Sequence, residues 1–208
     1  MATMARTNNT LTAIPGIRVG HATNQDAITG CTVILCPDGT VGGVDSRGGA
    51  PGTRETDLLR PMHLVNNVNA VILSGGSAYG LASADGVMRY CEENQIGYRS
   101  GTGFLVPIVA GAILMDLPIG DGTVRPDAIM GYAAARAAST EPVQQGSVGA
   151  GTGCRIGAFR GNEFASKGGI GSASVDLGNG LVVAAIIAVN SVGDVIDVDG
   201  TILAGLRE

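Results

Sequence analysis

The sequence contains no tryptophan, and aromatic residues make up only 3% of its 208 residues. Charged residues are also scarce, at 15% against about 25% in ordinary soluble domains. The net charge is −5, and no basic stripe runs through the sequence. Because nucleic acids are bound by clustered lysine and arginine with stacking aromatic rings, these absences predict that nucleic acid is not a partner.

No apolar run is long enough to cross a membrane as a helix. The longest runs are Leu181–Val189 and the Pro- and Gly-broken Phe104–Met115, whereas a spanning helix needs about 20 residues. The opening segment, MATMARTNNTLTAIPG, has no apolar core of a signal peptide. We therefore expect a cytoplasmic protein that does not associate with membranes.

Metal-binding patterns are missing as well. The cysteines form no CxxC pair and no zinc spacing, and the two histidines have no partner motif. Asp194, Asp197 and Asp199 lack the order of a calcium-binding loop. We expect buried reduced thiols, structural histidines, no metal and no organic cofactor. The cysteines and histidines are Cys31, Cys36, Cys91, Cys154, His21 and His63.

Glycine is abundant instead, with 34 residues, about double the usual share of roughly 7%. It follows no Gly-X-Y period, so it predicts tight turns and close backbone approaches rather than collagen. Hydrophobic residues make up 45% of the sequence, which indicates a folded domain with one sizeable core. We predict one domain over residues 14–208, preceded by an N-terminal tail, residues 1–13.

Short β-branched runs bounded by turn residues predict strands. Three such runs are Cys31–Cys36, Ala70–Ser74 and Val182–Val189. A hairpin is predicted near the end of the sequence, where VIDV and TIL flank the turn pair Asp199-Gly200.

Helical spacing predicts helices at Ser77–Asn94 and Asp127–Ser139, each beginning at a residue that can cap a helix. A third helix is predicted at Thr53–Val65, interrupted by a proline. Gly80 and Gly86 weaken the first helix, which indicates tight packing against a neighbour. Strands alternating with helices predict a layered α+β or α/β domain.

Two places in this pattern are candidate sites. Gly75, Gly76 and Ser77 follow a predicted strand and open a helix, with Tyr79 in its first turn. Free backbone N–H groups at a helix start can hold an anion or a developing oxyanion, although a tight turn without ligand gives the same pattern. Asn190 ends an apolar strand, so its amide is either a structural tie or a donor to a carbonyl oxygen.

Two other glycine-rich segments do not fit nucleotide loops. GAGTG, residues 149–153, lacks the preceding strand and following helix of a dinucleotide-binding turn. GNEFASKGG has its lysine after the serine, which breaks the order of a phosphate-binding loop.

Taken together, the motifs of the chain resemble the DmpA-type aminopeptidases, a group of L-aminopeptidase/D-Ala-esterases, β-aminopeptidases and the nylon-oligomer hydrolase. The two most specific blocks are VDSRGGAPG, residues 44–52, and GGSAYGL, residues 75–81. The blocks GSVGAGTG, KGGIGSASV and AVNSVGDVID extend the resemblance from about Ile14 to Gly205.

The resemblance implies a self-processing amidohydrolase with a four-layer αββα sandwich. Family precursors cut themselves before a Ser or Thr that opens a motif like Asn-Thr-Thr, and the freed residue becomes the nucleophile with its own α-amino group as base. No such motif is present, and the sequence ends shortly after the predicted hairpin. We therefore expect an α fragment that pairs with a β fragment, in a homo-oligomer of αβ units acting on small peptides, amides or esters.

Carried over by position, Asn190 matches the family asparagine that donates to the oxyanion. Met115 stands where several members have a tyrosine, and methionine cannot donate a hydrogen bond. Ala158 replaces the lysine of the nylon-oligomer hydrolase, and Ile113 replaces the acidic residue of β-aminopeptidases, which argues against β-aminopeptidase specificity. The residues expected to line the substrate pocket are Gly75, Gly76, Ser77, Tyr79, Met115, Gly151 and Thr152.

Two alternative functions stay open at this point. An acyltransferase like the ornithine acetyltransferases would use the same acyl-enzyme but pass the acyl group to an ornithine amine instead of water. A non-catalytic homologue would act as a binding protein, as the missing polar groups at Met115 and Ala158 allow.

Overall fold

A computed structural model describes residues 8–65 and 67–208, and its regular elements are short strands and two α-helices, α1 (Ser83–Glu93) and α2 (Ala128–Arg136). A 3₁₀ turn over Ser77–Ala82 leads directly into α1. The strands are β1 (Arg18–Asn24), β2 (Thr29–Leu35), β3 (Thr53–Arg54), β4 (Ala70–Ser74), β5 (Tyr98–Arg99), β6 (Leu105–Val106), β7 (Val109–Ile113), β8 (Arg155–Ile156), β9 (Ser166–Lys167), β10 (Gly169–Asp176), β11 (Val182–Val189), β12 (Val195–Ile196) and β13 (Ile202–Ala204).

Five strands form the main sheet, in the order β1-β2-β4-β7-β3. Strands β4 and β7 are parallel, and the other neighbours are antiparallel. Helix α1 lies in the crossover between β4 and β7, which parallel neighbours require. The other strands pair as β5–β6, β8–β9, β10–β11 and β12–β13.

Both helices cover one face of the main sheet. Cys31, Val33 and Leu35 alternate along β2 toward that face, where they pack in one buried cluster with residues of α1 and α2 such as Val87 and Ala134. Because side chains on a strand alternate between faces, the residues between them point the other way.

The opposite face packs against the second sheet. Ile34 of β2 and Val19 of β1 are buried there with Val143, and Ile186 of β11 packs against this cluster. The described residues thus show helices, the main sheet and β10–β11 in succession. The predicted α+β class is confirmed, with these three layers.

The segment predicted as an N-terminal tail is in part a packed element. Thr10 and Thr12 are buried, and the Val143 N–H donates to Thr10 Oγ1 at 3.0 Å. Leu11 N–H donates to Ser172 Oγ at 2.8 Å. Residues 8–13 therefore pack against the domain predicted to begin at residue 14, whereas residues 1–7 of the predicted tail lie outside the described residues.

The prediction of a helix at Thr53–Val65 is wrong. Thr53 and Arg54 pair with β7 as a short edge strand, and only Asp57–Leu59 forms a single 3₁₀ turn. Because Thr53 and Arg54 pair with β7, their pairing in the sheet overrides the helical spacing of the sequence. The other two predicted helices are present, and Asp127 caps α2 by accepting from Met130 N–H at 2.9 Å.

The described part of the chain contains no helix that is long and apolar enough to cross a membrane. It also holds no group of three His, Cys, Asp or Glu side chains placed to bind a metal. Three of the four thiols are buried and Cys36 is half-buried, and none is in a disulfide. Burial raises the pKa of Cys31 to about 12, so its thiol stays protonated at neutral pH.

Glycine sets the distance between the two helices. A Cβ atom at Gly86 of α1 would overlap the Ala128 carbonyl, and one at Gly131 of α2 would overlap the Ser83 carbonyl. The backbones touch directly at both positions, which confirms the tight packing predicted for Gly86.

We expect Gly86→Ala to lower the free energy of unfolding by about 1–3 kcal/mol, because the added methyl group must push α2 away. The intrinsic preference of a helix for alanine acts in the opposite direction by about 1 kcal/mol, so the sign of the change identifies the steric cause. Urea denaturation measures it.

Gly101→Ala is the matched control, since a Cβ atom there meets nothing within 4 Å. Its unfolding free energy should stay within about 0.5 kcal/mol of the parent. A Gly86→Ala protein as stable as the parent would show that the helices are not in backbone contact.

Candidate active site

A buried carboxylate lies where three segments of the site meet. Asp116 follows β7 and is only 3% exposed. Its Oδ2 accepts from the Thr29 hydroxyl at 2.7 Å, and its Oδ1 accepts from the Gly76 N–H at 2.6 Å. Hydrogen bonds to a carboxylate are stronger than those between neutral groups, so Asp116 holds the start of β2 and the turn after β4 together.

Two glycines make room for this carboxylate. A Cβ atom at Gly75 would overlap Asp116 Oδ2, and one at Gly153 would overlap Asp116 Cβ. The GGS turn and the GAGTG segment can therefore approach Asp116 from two sides only because they lack side chains there. The GGS turn was a candidate site in the sequence, and Gly151 and Thr152 of the GAGTG segment were expected to line the pocket. Asp116 packs against both segments.

The turn at Gly75–Ser77 has no free backbone donor. Gly75 N–H donates to the Gly30 carbonyl at 2.9 Å and Ser77 N–H to the Leu114 carbonyl at 2.8 Å, while Asp116 takes the Gly76 N–H. The hypothesis that these groups are free to hold an anion is therefore wrong. Ser77 is also not the helix cap, because Gly76 is the N-cap and Ser77 is the first residue of the 3₁₀ turn, with a φ of 53°.

Asn190 follows β11 and is held at both ends of its amide. Its Oδ1 accepts from the Arg155 N–H at 3.1 Å, and its Nδ2 donates to the Met115 carbonyl at 3.2 Å. The structural tie considered for Asn190 is therefore present. An amide nitrogen carries two hydrogens, and within the described residues the second has no acceptor, so it remains a possible donor to a substrate oxygen.

Met115 and Tyr79 are the exposed side chains of this region. Met115 is 46% exposed and Tyr79 is 60% exposed, and the Arg125 guanidinium lies 3.8 Å from the centre of the Tyr79 ring. Such stacking holds the Tyr79 ring in place. The Met115 carbonyl accepts from Asn190, and Tyr79 lies in the 3₁₀ turn that follows Gly76.

Gly151 and Thr152 lie behind the surface rather than on it. Thr152 is 1% exposed, and its hydroxyl donates to the Gly149 carbonyl at 2.7 Å. The Gly151 carbonyl accepts from Lys167 Nζ at 2.9 Å. The two residues lie beneath the surface and directly precede Gly153, which packs against Asp116.

Of the three positions of family departure, Met115 accepts from the Asn190 amide, whereas Ile113 and Ala158 make no hydrogen bond to it. Ile113 ends β7, and its side chain fills the space that a Cβ atom at Gly52 would need. Ala158 begins a single 3₁₀ turn after β8 and is half-buried.

Sequence reasoning missed three polar groups here, namely Asp116, Thr29 and Lys167. Asp116 had a detectable signal, because it is the acidic residue directly after the apolar run that forms β7. Lys167 lies beside Cys154, and partial burial lowers the pKa of Lys167, while burial raises the pKa of Cys154 to about 11. Partners 87 residues apart, such as Thr29 and Asp116, leave no local pattern.

We expect Asp116→Asn to lower the free energy of unfolding by about 2–3 kcal/mol. The amide presents an NH₂ group on one side, so one of the two buried donors, Thr29 Oγ1 or Gly76 N–H, loses its charged acceptor. Chemical denaturation measures the change. Asp26→Asn, at an exposed residue, is the control and should stay within about 0.5 kcal/mol. Equal effects of the two variants would contradict the organising role of Asp116.

Comparison with known proteins places this geometry in a family. The sequence profile of Peptidase family S58 matches residues 9–207. An uncharacterized aminopeptidase of Mycobacterium leprae (strain TN) is 49% identical over 212 residues, covering 95% of this chain and 56% of the relative. A 6-aminohexanoate-oligomer endohydrolase of Agromyces sp. (strain KY5R) is 33% identical, covering 92% of this chain and 50% of the relative.

Solved structures share the fold. A Burkholderia sp. beta-aminopeptidase matches with a TM-score of 0.67 and 26% identity over 92% of this chain and 54% of its own. The L-aminopeptidase D-Ala-esterase/amidase of Ochrobactrum anthropi, described as a variant of the Ntn hydrolase fold, matches with a TM-score of 0.68 and 19% identity over 92% of this chain and 55% of its own. The chain spans about half the length of the curated relatives it matches. The family resemblance is confirmed: this chain belongs to peptidase family S58.

Proposed function

We propose that this chain is the larger fragment of a self-cleaving N-terminal-nucleophile hydrolase that acts on small peptides, amides or esters. Family membership and the fold shared with an Ntn hydrolase support the reaction class. The single observation that carries the proposal is Asn190, positioned at the end of β11 with one amide hydrogen still available.

In the proposed reaction, the hydroxyl of a Ser or Thr at the start of the β fragment attacks the substrate carbonyl carbon. Its own α-amino group takes the hydroxyl proton, so the carbonyl oxygen becomes an oxyanion. Asn190 Nδ2 donates its second hydrogen to this oxyanion while Met115 and Arg155 hold the amide in place. When the carbonyl re-forms, the leaving amine or alcohol takes the proton, and water then releases the acyl group by the same steps.

The β fragment is the proposed partner of the second sheet. Val183 and Ile187 of β11, with Val175 of β10, expose an apolar face that no described residue covers. The β12–β13 hairpin exposes Ile196 and Ile202 in the same way. Apolar area of this kind is normally buried against protein, and its burial by the β fragment would complete the four-layer sandwich. A homo-oligomer of αβ units and a cytoplasmic location stay predictions.

The substrate pocket is proposed on the side of Asn190 where Met115 and Tyr79 are exposed. Gly75, Gly76 and Ser77 would contribute backbone surface, because their N–H groups are engaged elsewhere. Gly151 and Thr152 would shape the floor from beneath.

Neither alternative function gains a specific observation from the structure. An acyltransferase would share the first half of the reaction and differ only in the acceptor of the acyl group. A product assay with and without added ornithine separates the two, since hydrolysis needs water alone.

We expect the purified full-length gene product to contain two chains, the smaller of which begins with Ser or Thr. Intact-mass spectrometry and N-terminal sequencing measure this directly. Replacing that first residue of the smaller chain by alanine should leave one uncut precursor without hydrolase activity. A single, uncut and active chain would contradict self-cleavage.

We expect Asn190→Ala to lower kcat by about 10²–10³ with little change in KM, because the lost interaction is strongest in the transition state. The loss of both tie hydrogen bonds should also lower the free energy of unfolding by about 1–2 kcal/mol. Steady-state kinetics and denaturation on the same sample separate the two effects.

Asn94→Ala is the matched control, since Asn94 also donates an amide hydrogen bond, at 2.8 Å to the Tyr90 carbonyl, but at the end of α1. It should keep full kcat. A folded Asn190→Ala protein with parental kcat would remove Asn190 from the catalytic site and leave it a structural tie alone.

A further inference from the structure

A cationic cavity lies beside the Asn190 tie. Its volume is about 410 Å³, within the range of small-molecule sites. It opens between the segment after Asp116 and the β8–β9 hairpin, which connects through residues 157–165. Its lining includes Cys154, Arg155, Asn162, Lys167 and Arg207.

The lining carries three cations and no carboxylate. Arg155, Lys167 and Arg207 all face the cavity, and none of them forms an ion pair with any described residue. The chain as a whole has a net charge of −5, so this cluster is not a consequence of its composition. Unpaired cations in a concave site attract anions.

Arg155 and Lys167 are direct cross-strand partners in β8 and β9, so both side chains lie on the same face of this hairpin. Lys167 Nζ donates to the carbonyls of Gly151 and Gly168, at 2.9 and 2.8 Å. Partial burial lowers the pKa of Lys167. An anion in the cavity would be attracted by both cations.

The neighbouring carboxylates are directed elsewhere. Asp116 is satisfied by Thr29 and Gly76, as described above. The Glu163 side chain lies against Gly161, and only its backbone carbonyl receives Arg207 Nη2, at 3.1 Å. The Arg155 guanidinium makes no hydrogen bond to a described residue, so its planar fork is free to bind a carboxylate with two parallel bonds.

The cavity is connected to the proposed catalytic group through one residue. The backbone N–H of Arg155 donates to Asn190 Oδ1, while its side chain lines the cavity. The cavity and the Asn190 amide therefore share Arg155, which makes the cationic pocket a neighbour of the proposed catalytic group. Such a pocket would select for a negative charge close to the reacting carbonyl.

We propose that this cavity binds a carboxylate of the substrate, so that the enzyme prefers small amides or peptides with an acidic group near the scissile bond. The inference rests on the proposed function and adds the substrate class. Arg155 provides the main contact, with Lys167 and Arg207 adding charge. Arg155 is a specificity residue in this account, and Asn190 remains the catalytic one.

The test compares two isosteric substrates, L-aspartyl p-nitroanilide and L-asparaginyl p-nitroanilide, on the full-length processed protein. We expect the parent enzyme to prefer the acidic substrate in kcat/KM, mainly through KM. Arg155→Met should reduce this preference by about 10- to 100-fold, because a charge-assisted hydrogen bond is lost. Arg155→Lys should restore part of it, since the charge returns without the planar fork.

Arg160→Met is the matched control. Arg160 lies near in sequence, stacks 4.7 Å from the Phe164 ring and does not line the cavity. It should keep the parental preference, which separates a specific contact from the general loss of one positive charge. If Arg155→Met does not fold, Arg207→Met takes its place and should reduce the same preference.

Binding measured by calorimetry separates this inference from the proposed function. Succinate should bind the parent protein and its neutral isostere succinamide should not, even if neither anilide is hydrolysed. Hydrolysis of both anilides at equal kcat/KM, with no succinate binding, would overturn the carboxylate site and leave the hydrolase intact. A second outcome would also overturn it. If Arg155→Met no longer assembled with the β fragment, while Arg155→Lys kept the full parental preference for the acidic substrate, the cavity would be binding a carboxylate of the β fragment and not one of the substrate.

Discussion

The site depends on one buried interaction, the carboxylate of Asp116 between Thr29 and the Gly76 N–H. A buried charge without partners would cost several kcal/mol, and here two donors from distant segments satisfy it. The carboxylate fixes the end of β7 against the start of β2 and against the turn after β4. Met115, the residue before it, is thereby positioned to accept from Asn190.

Small residues allow this arrangement to exist. The segments around Asp116 approach so closely that side chains at Gly75 and Gly153 have no room, and the same holds for Gly86 and Gly131 between the helices. The high glycine content is thus a packing requirement at specific points rather than a sign of flexibility. The N–H groups of Gly75 and Gly76 are engaged in holding the fold, so the polar group proposed for chemistry here is the side chain of Asn190.

The parts of the fold that depend on local pattern were predictable from the sequence. The β-branched runs gave β4 and β11, and an N-terminal aspartate gave the start of α2. The structure of the Thr53–Val65 segment was not predictable, because its first residues pair with β7 in the main sheet. The position of Asn190 directly after β11 was predictable, and its catalytic role stays a prediction. The partners of the GGS turn were not predictable, since Gly30 and Asp116 are separated from it by more than 35 residues.

The central claim is that Asn190 donates to the oxyanion of a hydrolase whose nucleophile lies on a second fragment. A crystal structure of the full-length processed protein, with a covalent tetrahedral adduct on its nucleophile, tests it most directly. The account predicts a distance of about 2.7–3.1 Å between Asn190 Nδ2 and the adduct oxygen, with the bond to the Met115 carbonyl kept. An adduct oxygen beyond hydrogen-bonding distance of Asn190, held by other donors, would contradict the claim.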